Sequence, residues 1–391
     1  MNREWQAAPD TALILSGGGA RAAYQVGVLL AIAKLLPQHA ANPFPIICGT
    51  SAGAINAAGL AVSAQQFRHG VFSLARMWQN LYPELIYRGS LGALLATGAH
   101  WMGSLMLGGL GRYNPRAFLD NAPLRDFLEQ RVDFSQIQRN IEQGALRAVA
   151  ISTLGYSSGQ SVAFFQGHPE LEGWQRASRI GVRTQLNVSH LMASSAIPLV
   201  FPAERIHREF FGDGSVRQLA PLSPAIHLGA KRLLVIGVAP HGDDAPARQQ
   251  VSDYPTLAQV SGQLMNSIFL DSLEVDLERI TRINRTISLI PAEVRASSGL
   301  NLRPVEVLTI APSQPLEKLT LPFKREFSLG MRFFLGGLGA FRRQGSVVAS
   351  YLLFSGAYAR RLIGLGYQDA LAKEAQLRDF LAAKETDSAL E

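Results

Sequence analysis

Twice near its start the chain runs from a short apolar segment, through a turn of small residues, into a helical pattern. The first apolar segment is TALIL (residues 11–15), followed by SGGGAR. After it Val26, Leu29, Leu30, Ala33 and Leu36 recur at helical spacing until Pro37 stops the run. The second is FPIIC (44–48), followed by GTSAG and the small-residue helix AINAAGLAV. Consecutive strand–turn–helix units predict parallel strands joined by a right-handed crossover. If the two strands are neighbours, both turns emerge at the carboxyl edge of the sheet, where ligands bind in open α/β folds.

Each turn carries reactive possibilities. GGGARA parses as G-x-G-x-x-A, a dinucleotide fingerprint, but that motif needs an acidic residue about twenty positions on for the ribose. No Asp or Glu stands between Thr11 and Pro83, and no Gly-Lys-Ser/Thr follows to make a phosphate loop. The sequence therefore calls for no nucleotide cofactor. What remains is an anion nest. Gly17, Gly18 and Gly19 let backbone N–H groups converge at a helix N-terminus, and Arg21 adds a cation, an arrangement suited to a developing oxyanion. A plain tight turn is the other reading.

GTSAG places Ser51 between Gly49 and Gly53 on a strand-to-helix turn, the pattern of a nucleophile elbow. A serine hydroxyl needs a base within hydrogen-bond reach. The eight histidines stand in no motif. The better candidate is Asp213 in FFGDGSV, at the end of an apolar run and flanked by Gly212 and Gly214. Its alternative role is that of a turn-forming Asx residue.

The remainder reads as strands at 145–153, 161–166, 205–214, 232–240 and 305–313. Helices are expected at 183–202 and 256–283, with an amphipathic helical tail from Ser346 and a polar loop at 239–250. The 391 residues, 47% hydrophobic and 17% charged, suit a packed globular protein of one large or two ordinary domains. A net charge of +7, with a pI near 9.7, favours anionic partners. The basic residues are scattered without a Lys/Arg run, so membrane head groups rank above nucleic acid, which is set aside. The single cysteine, Cys48, excludes an internal disulfide, fits a reducing compartment and reads as a buried small hydrophobe. The first nineteen residues lack the pattern of a secretory signal. These features point to a cytoplasmic protein, at most peripheral on the inner face of the membrane.

Four stretches, SGGGARAAYQVGVL, GTSAG, ASSAIPLVFP and GDGS with APLSPAIHLGA, stand in the order and spacing of the patatin-like phospholipases. The chain resembles bacterial members of that family. The resemblance implies a three-layer α/β/α fold with a mainly parallel central sheet and a helical C-terminal extension. It implies a catalytic domain over 11–240, with an apolar insertion around 85–112, and a region 241–391 that completes or caps it. It further implies a Ser-Asp dyad without histidine. Ser51 would be the nucleophile and Asp213 its base. Gly17, Gly18, Gly19 and Arg21 would form the oxyanion loop, and Gly49 and Gly53 the elbow. No metal or organic cofactor is needed. Ala22 stands where the family usually has Gly, and D-G-S replaces D-G-G or D-G-A. Neither departure removes a reactive group. The expected substrate is a phospholipid or lysophospholipid, cleaved through an acyl-enzyme at a membrane surface. A broad esterase or thioesterase and a catalytically silent lipid-binding protein are the alternatives. Head-group preference and oligomeric state are unknown from sequence.

Two further stretches concern the membrane. From Gly89 to Gly111 no residue is formally charged. The length would span a bilayer, but seven glycines and His100 make a lid or docking segment in the interface the preferred reading over a spanning helix. A buried helical pair is the alternative. In 323–343, Lys324, Arg325, Arg332, Arg342 and Arg343 are interleaved with Phe327, Phe333, Phe334 and Phe341, a mixture that suits anionic head groups or, equally, a solvated face over an ordinary core. Jointly the two stretches would make an apolar, basic-rimmed surface at the mouth of the Ser51 site.

Overall fold

The computed structural model describes residues 10–109, 111, 114–240, 254–291, 293, 294, 303–342 and 345–382. Leu110, residues 241–250 of the expected polar loop, and Arg343 lie outside the described residues. The ten strands are β1 (Thr11–Leu15), β2 (Ile46–Thr50), β3 (Ala148–Gly155), β4 (Ser161–Gly167), β5 (Trp174–Arg176), β6 (Arg179–Arg183), β7 (Glu204–Ile206), β8 (Glu209–Asp213), β9 (Arg232–Ile236) and β10 (Glu306–Ile310). They form one sheet in the order β10-β9-β1-β2-β3-β4-β6-β5, with β8 pairing both β3 and β7. The run from β10 to β3 is parallel throughout. The β3–β4, β3–β8, β5–β6 and β7–β8 pairs are antiparallel. This is the mainly parallel α/β architecture that the paired strand–turn–helix units predict.

The alternation of side chains makes the layers. Leu13, Leu15, Ile47, Val149, Ile151, Leu234 and Ile236 point into one core cluster. Ala12, Ile14, Ile46, Cys48, Ala148, Ala150, Leu233 and Val235 point into the other. A sheet covered on both faces needs unbroken apolar strands, which is why these segments read as short continuous runs. Cys48 is buried in the second cluster, and burial pushes its thiol up to about 12. On the first face lie α1 (Ala23–Leu35), α2 (Ala52–Val62) and α3 (Phe67–Gln79). On the second lie the helices Ser223–His227 and Ser272–Ser288.

Several boundaries differ from the sequence expectations. FPIIC enters the sheet only at Ile46, because Pro43 and Pro45 carry no N–H for a ladder; instead Pro45 O accepts from the amides of Arg147 and Ala148. The helix expected over 183–202 is confined to Val188–Ser194. Asn187 caps its start in a capping box with His190, and β6 claims the residues up to Arg183. The strand expected over 205–214 is a hairpin of β7 and β8, turned at His207 with φ 53°. The helix expected over 256–283 is three pieces: Leu257–Asn266, a π turn at Ser267–Asp271, and Ser272–Ser288.

The C-terminal region is built into the sheet and the first core. β10 adds to β9, and the helix Gly356–Ala372 packs along α1. That contact explains why α1 is buried nearly all round, where its sequence pattern alone suggests a one-faced helix. A Cβ at Gly366 would lie 2.1 Å from the Tyr24 carbonyl oxygen of α1, whereas one at Gly364, in the same helix, would meet nothing within 4 Å. The two glycines should therefore respond with opposite sign. Gly366→Ala is expected to lower the denaturant midpoint by overpacking, on the order of 1–3 kcal/mol. Gly364→Ala should raise it by about 0.5–1 kcal/mol through helix propensity. Parallel urea unfolding curves of the two variants and wild type check both.

Candidate active site

The register of three strands sets the site. Leu15 of β1 lies opposite Gly49 of β2, and Gly49 and Thr50 lie opposite Ile151 and Ser152 of β3. β8 returns antiparallel beside β3, so that Asp213 pairs with Thr153. The glycine loop after β1, the GTSAG turn after β2 and the GDGS turn after β8 thus meet at one edge of the sheet. These three motifs stand far apart in the chain.

Ser51, the residue just before α2, has φ 56° and ψ −130°, a conformation that costs a β-carbon-bearing residue strain. Two contacts hold it there. Gly53 presses against β1, where a Cβ would lie 2.3 Å from Leu15 O, so only glycine allows the turn to sit this low on the sheet. Ser194 Oγ accepts the Ser51 backbone N–H at 2.8 Å and donates to Ser152 O at 2.7 Å. Thr50 Oγ1 donates to Gln218, and Gln218 Nε2 donates to Ser152 Oγ, both at 2.9 Å, tying elbow, β3 and the turn after Asp213 together.

Asp213 is fully buried. Its amide donates to Ala196 O at 3.0 Å, and its Oδ1 accepts the Ser215 amide at 2.9 Å. Oδ2 is shielded from solvent and has no aligned hydrogen-bond partner among the described residues. Burial pushes the carboxyl up to about 6, while the neighbouring Ser51 hydroxyl, the Ser215 amide and the Ser215 hydroxyl oppose the rise. The Ser51 hydroxyl is thus near enough to act on the carboxyl charge without a formed hydrogen bond, a looseness common in unliganded sites.

In the glycine loop the amides of Gly17 and Gly18 have no acceptor among the described residues. Gly19 has φ 53°, and a Cβ there would lie 2.3 Å from Tyr351 O. Arg21 does not stand free beside the loop. Its guanidinium is buried over the Tyr351 ring, donates from Nε to Ser350 Oγ at 2.8 Å and pairs with Glu317 at 3.4 Å. Its contacts are to the C-terminal region. A buried polar chain locks loop to elbow: Gln25 Nε2 donates to Ser16 O, and Asn56 Nδ2 donates to Ala22 O and Gln25 Oε1. Trp78 Nε1 donates to Asn56 Oδ1.

Ser51, Ala52 and Gly19 open onto an apolar cavity lined chiefly by Ile55, Trp78, Leu81, Leu128, Ile197 and Phe201. It encloses about 30 Å³, room for water rather than for an acyl chain. Ser195 also lines it, its hydroxyl buried without a partner among the described residues. No described histidine lines this cavity. His190 and His227 are held down to about 4 chiefly by burial, which makes them neutral packing residues at neutral pH. Among the described residues no group of three or more His, Cys, Asp or Glu is arranged to hold a metal.

Sequence reasoning named Ser51, Asp213, the three glycines and the elbow glycines, and all of these meet at this edge. It missed Ser194, Gln218, Gln25 and Asn56. The only signal for them was polar residues inside otherwise apolar or small-residue runs.

The family model of patatin-like phospholipases matches residues 13–226. A curated relative, the cGAMP-activated phospholipase of Pseudomonas aeruginosa (strain BWHPSA011 / Pa011), is 29% identical over 212 residues, covering 54% of this chain and 53% of that protein. The chain spans about half the length of that relative. Among solved structures, VipD from Legionella pneumophila aligns over 95% of this chain and 67% of its own, with 11% identity and a TM-score of 0.34.

The raised pKa of Asp213 has a stability consequence. Its folded-state value of about 6 lies above the ordinary 3.8. The protonated form is thus favoured by folding, and that contribution is complete below 3.8 and lost as pH rises to about 6. Asp213→Asn should therefore be more stable than wild type at pH values above this window, by on the order of 3 kcal/mol at most. The advantage should vanish in acid. Denaturant midpoints across the pH range test this.

Proposed function

The chain belongs to the patatin-like phospholipase family, and from that premise we propose that it is a lipid acyl hydrolase of phospholipase A or lysophospholipase type. Ser51 is the nucleophile and Asp213 its general base. As Oγ attacks the ester carbonyl, Asp213 Oδ2 takes its proton. The tetrahedral oxyanion accepts hydrogen bonds from the Gly17 and Gly18 amides, each such donor worth roughly 3 kcal/mol in the transition state. Asp213 returns the proton to the leaving alcohol and then activates a water that releases the fatty acid from Ser51. Gly49 and Gly53 serve the turn. Arg21 acts through position, anchoring the loop to Ser350 and Glu317.

One observation carries this reading. A serine strained at φ 56° shares its edge of the sheet with a fully buried carboxylate oxygen that lacks an aligned partner among the described residues, and the serine faces an apolar cavity. A buried polar group left unpaired costs stability, and such groups collect where chemistry needs them. The apolar lining favours an acyl chain over a polar substrate, and the cavity must widen to admit one. We place residues 11–240 in the catalytic domain and take the region after 241 as its structural completion. The lipid substrate implies work at a membrane surface. Among the described residues no helix is long and apolar enough to cross a membrane.

Fluorophosphonate labelling, with fatty-acid release from phospholipid vesicles followed in parallel, tests the dyad. Wild type should label and release. Ser51→Ala should do neither, and Asp213→Asn should lose at least a hundred-fold in turnover. Label retained on Ser51→Ala would move the nucleophile elsewhere. The base must be ionised to accept a proton, so kcat/KM should fall as pH drops through about 6. A pH profile flat down to 4.5 would exclude Asp213 as the base.

A further inference from the structure

An apolar stripe at helical spacing ordinarily faces a core. In α4 (Leu91–Met106) it faces solvent. Leu91, Leu95, Met102, Leu105 and Met106 are all exposed, the last two at 72% and 78%, while Leu94, Trp101 and Ser104 turn inward. Trp101 stacks on Phe118 with ring centroids 5.2 Å apart, and Phe118 meets Phe334 at 6.3 Å. The helix is therefore seated by its mixed face and displays a stripe of leucine and methionine, with His100 also exposed. It carries no charged residue.

The second apolar stretch joins it. Ser328 Oγ donates to Gly89 O at 2.6 Å, bringing the helix Leu329–Gly337 against α4. Leu329 and Phe333, exposed at 74% and 76%, continue the display, whereas Phe327 is buried and Phe334 and Phe341 are half-buried. Leu91, Leu95, Leu329, Phe333 and Phe341 line one open groove of about 680 Å³, and the charged residues in its lining, among the described residues, are Lys324 and Arg332. Arg325 and Arg342 are exposed nearby in sequence, Glu326 being the acidic residue among them. Contiguous exposed apolar surface of this kind marks an interaction site.

The surface is also tied to the reactive cavity. Ile86 lines the cavity and Leu91 begins α4, so at most about 17 Å of chain separates them. Phe118, beneath α4, donates its amide to Leu199 O, and Leu119 donates to Val200 O, while Ile197 and Phe201 on either side line the cavity.

We propose that α4 and the helix Leu329–Gly337 form an in-plane docking face that seats the protein on an anionic phospholipid bilayer, with Lys324 and Arg332 contacting head groups and the exposed Leu, Met and Phe side chains entering the acyl boundary. Charge complementarity selects this occupant. An aliphatic stripe flanked by cations fits an anionic interface, and the helix, about 24 Å long at 1.5 Å per residue, lies in the plane instead of crossing it. The proposal rests on the lipid-hydrolase reading for its purpose.

The test is co-sedimentation of the full chain with vesicles of phosphatidylcholine alone and of phosphatidylcholine mixed with phosphatidylglycerol. Wild type should bind the mixed vesicles more tightly. Lys324→Gln with Arg332→Gln should weaken that binding about thirty-fold, at roughly five-fold per cation. Leu105→Ser, Met106→Ser and Phe333→Ser together should weaken binding to both vesicle types. Hydrolysis of a soluble short-chain ester should be unchanged in both variants, which also verifies their folding. Wild type left in the supernatant, or both variants bound like wild type, would overturn the proposal. So would light scattering that shows a dimer abolished by the Leu105, Met106 and Phe333 changes, since the face would then belong to a second copy. Docking by a wild type that hydrolyses no ester would instead sink the hydrolase reading and leave the docking face standing.

Discussion

The approach of α2 to the end of β1 underlies the rest of the site. With Gly53 against the Leu15 and Ser16 carbonyls, the elbow sits directly beside the glycine loop. Any side chain there would lift α2 away from the sheet and carry Ser51 with it. The parallel register then does the remaining alignment, because strands paired from Thr11 to Ser152 end their turns at the same level. Asp213 reaches that level from the opposite direction, on an antiparallel strand added beside β3. Ser51 and Asp213, separated widely in sequence, meet because β2 and β8 are both paired to β3.

The arrangement carries a cost that the surrounding structure offsets. A buried carboxyl pushed to about 6, a serine at positive φ and a Ser195 hydroxyl with no partner among the described residues all destabilise the edge of the sheet. Around them stand satisfied polar links, from Gln25 to Asn56 to Trp78 and from Thr50 to Gln218 to Ser152, and two large apolar clusters. The C-terminal region belongs to that support. It supplies β10, a helix along α1, and the Ser350, Tyr351 and Glu317 contacts that hold Arg21. The cavity beside Ser51 is small, and its lining is joined to α4 by the short chain from Ile86 to Leu91 and by the hydrogen bonds of Phe118 and Leu119 to Leu199 and Val200. On the proposed reading, the surface that would meet lipid and the cavity that would open for it share one set of chain segments.

The two turns and their small residues were legible in the sequence because the conformations involved admit few residue types. A strand-to-helix turn with a strained centre needs glycine on both sides, so GTSAG and GGGAR announce themselves. The carboxylate was legible for the same reason, lodged between Gly212 and Gly214. The long helix assigned to 183–202 was not right, since a run of small and apolar residues reads alike as helix, turn or cavity wall until packing decides. Ser194 was invisible as a positioning residue for a related reason. A serine in a small-residue run has no local signature of the backbone amide it will accept.

Local chemistry thus determined the strands, the two turns, the glycine loop and the serine and aspartate proposed as the reactive pair. Tertiary structure alone decided that Arg21 turns toward Ser350 and Glu317, and that α4 shows its aliphatic stripe to solvent. The physical reason is common to both. A side chain's conformation at a turn is limited by its own backbone, whereas the direction of a cation or of an apolar stripe is set by which surfaces of the distant chain remain to receive it.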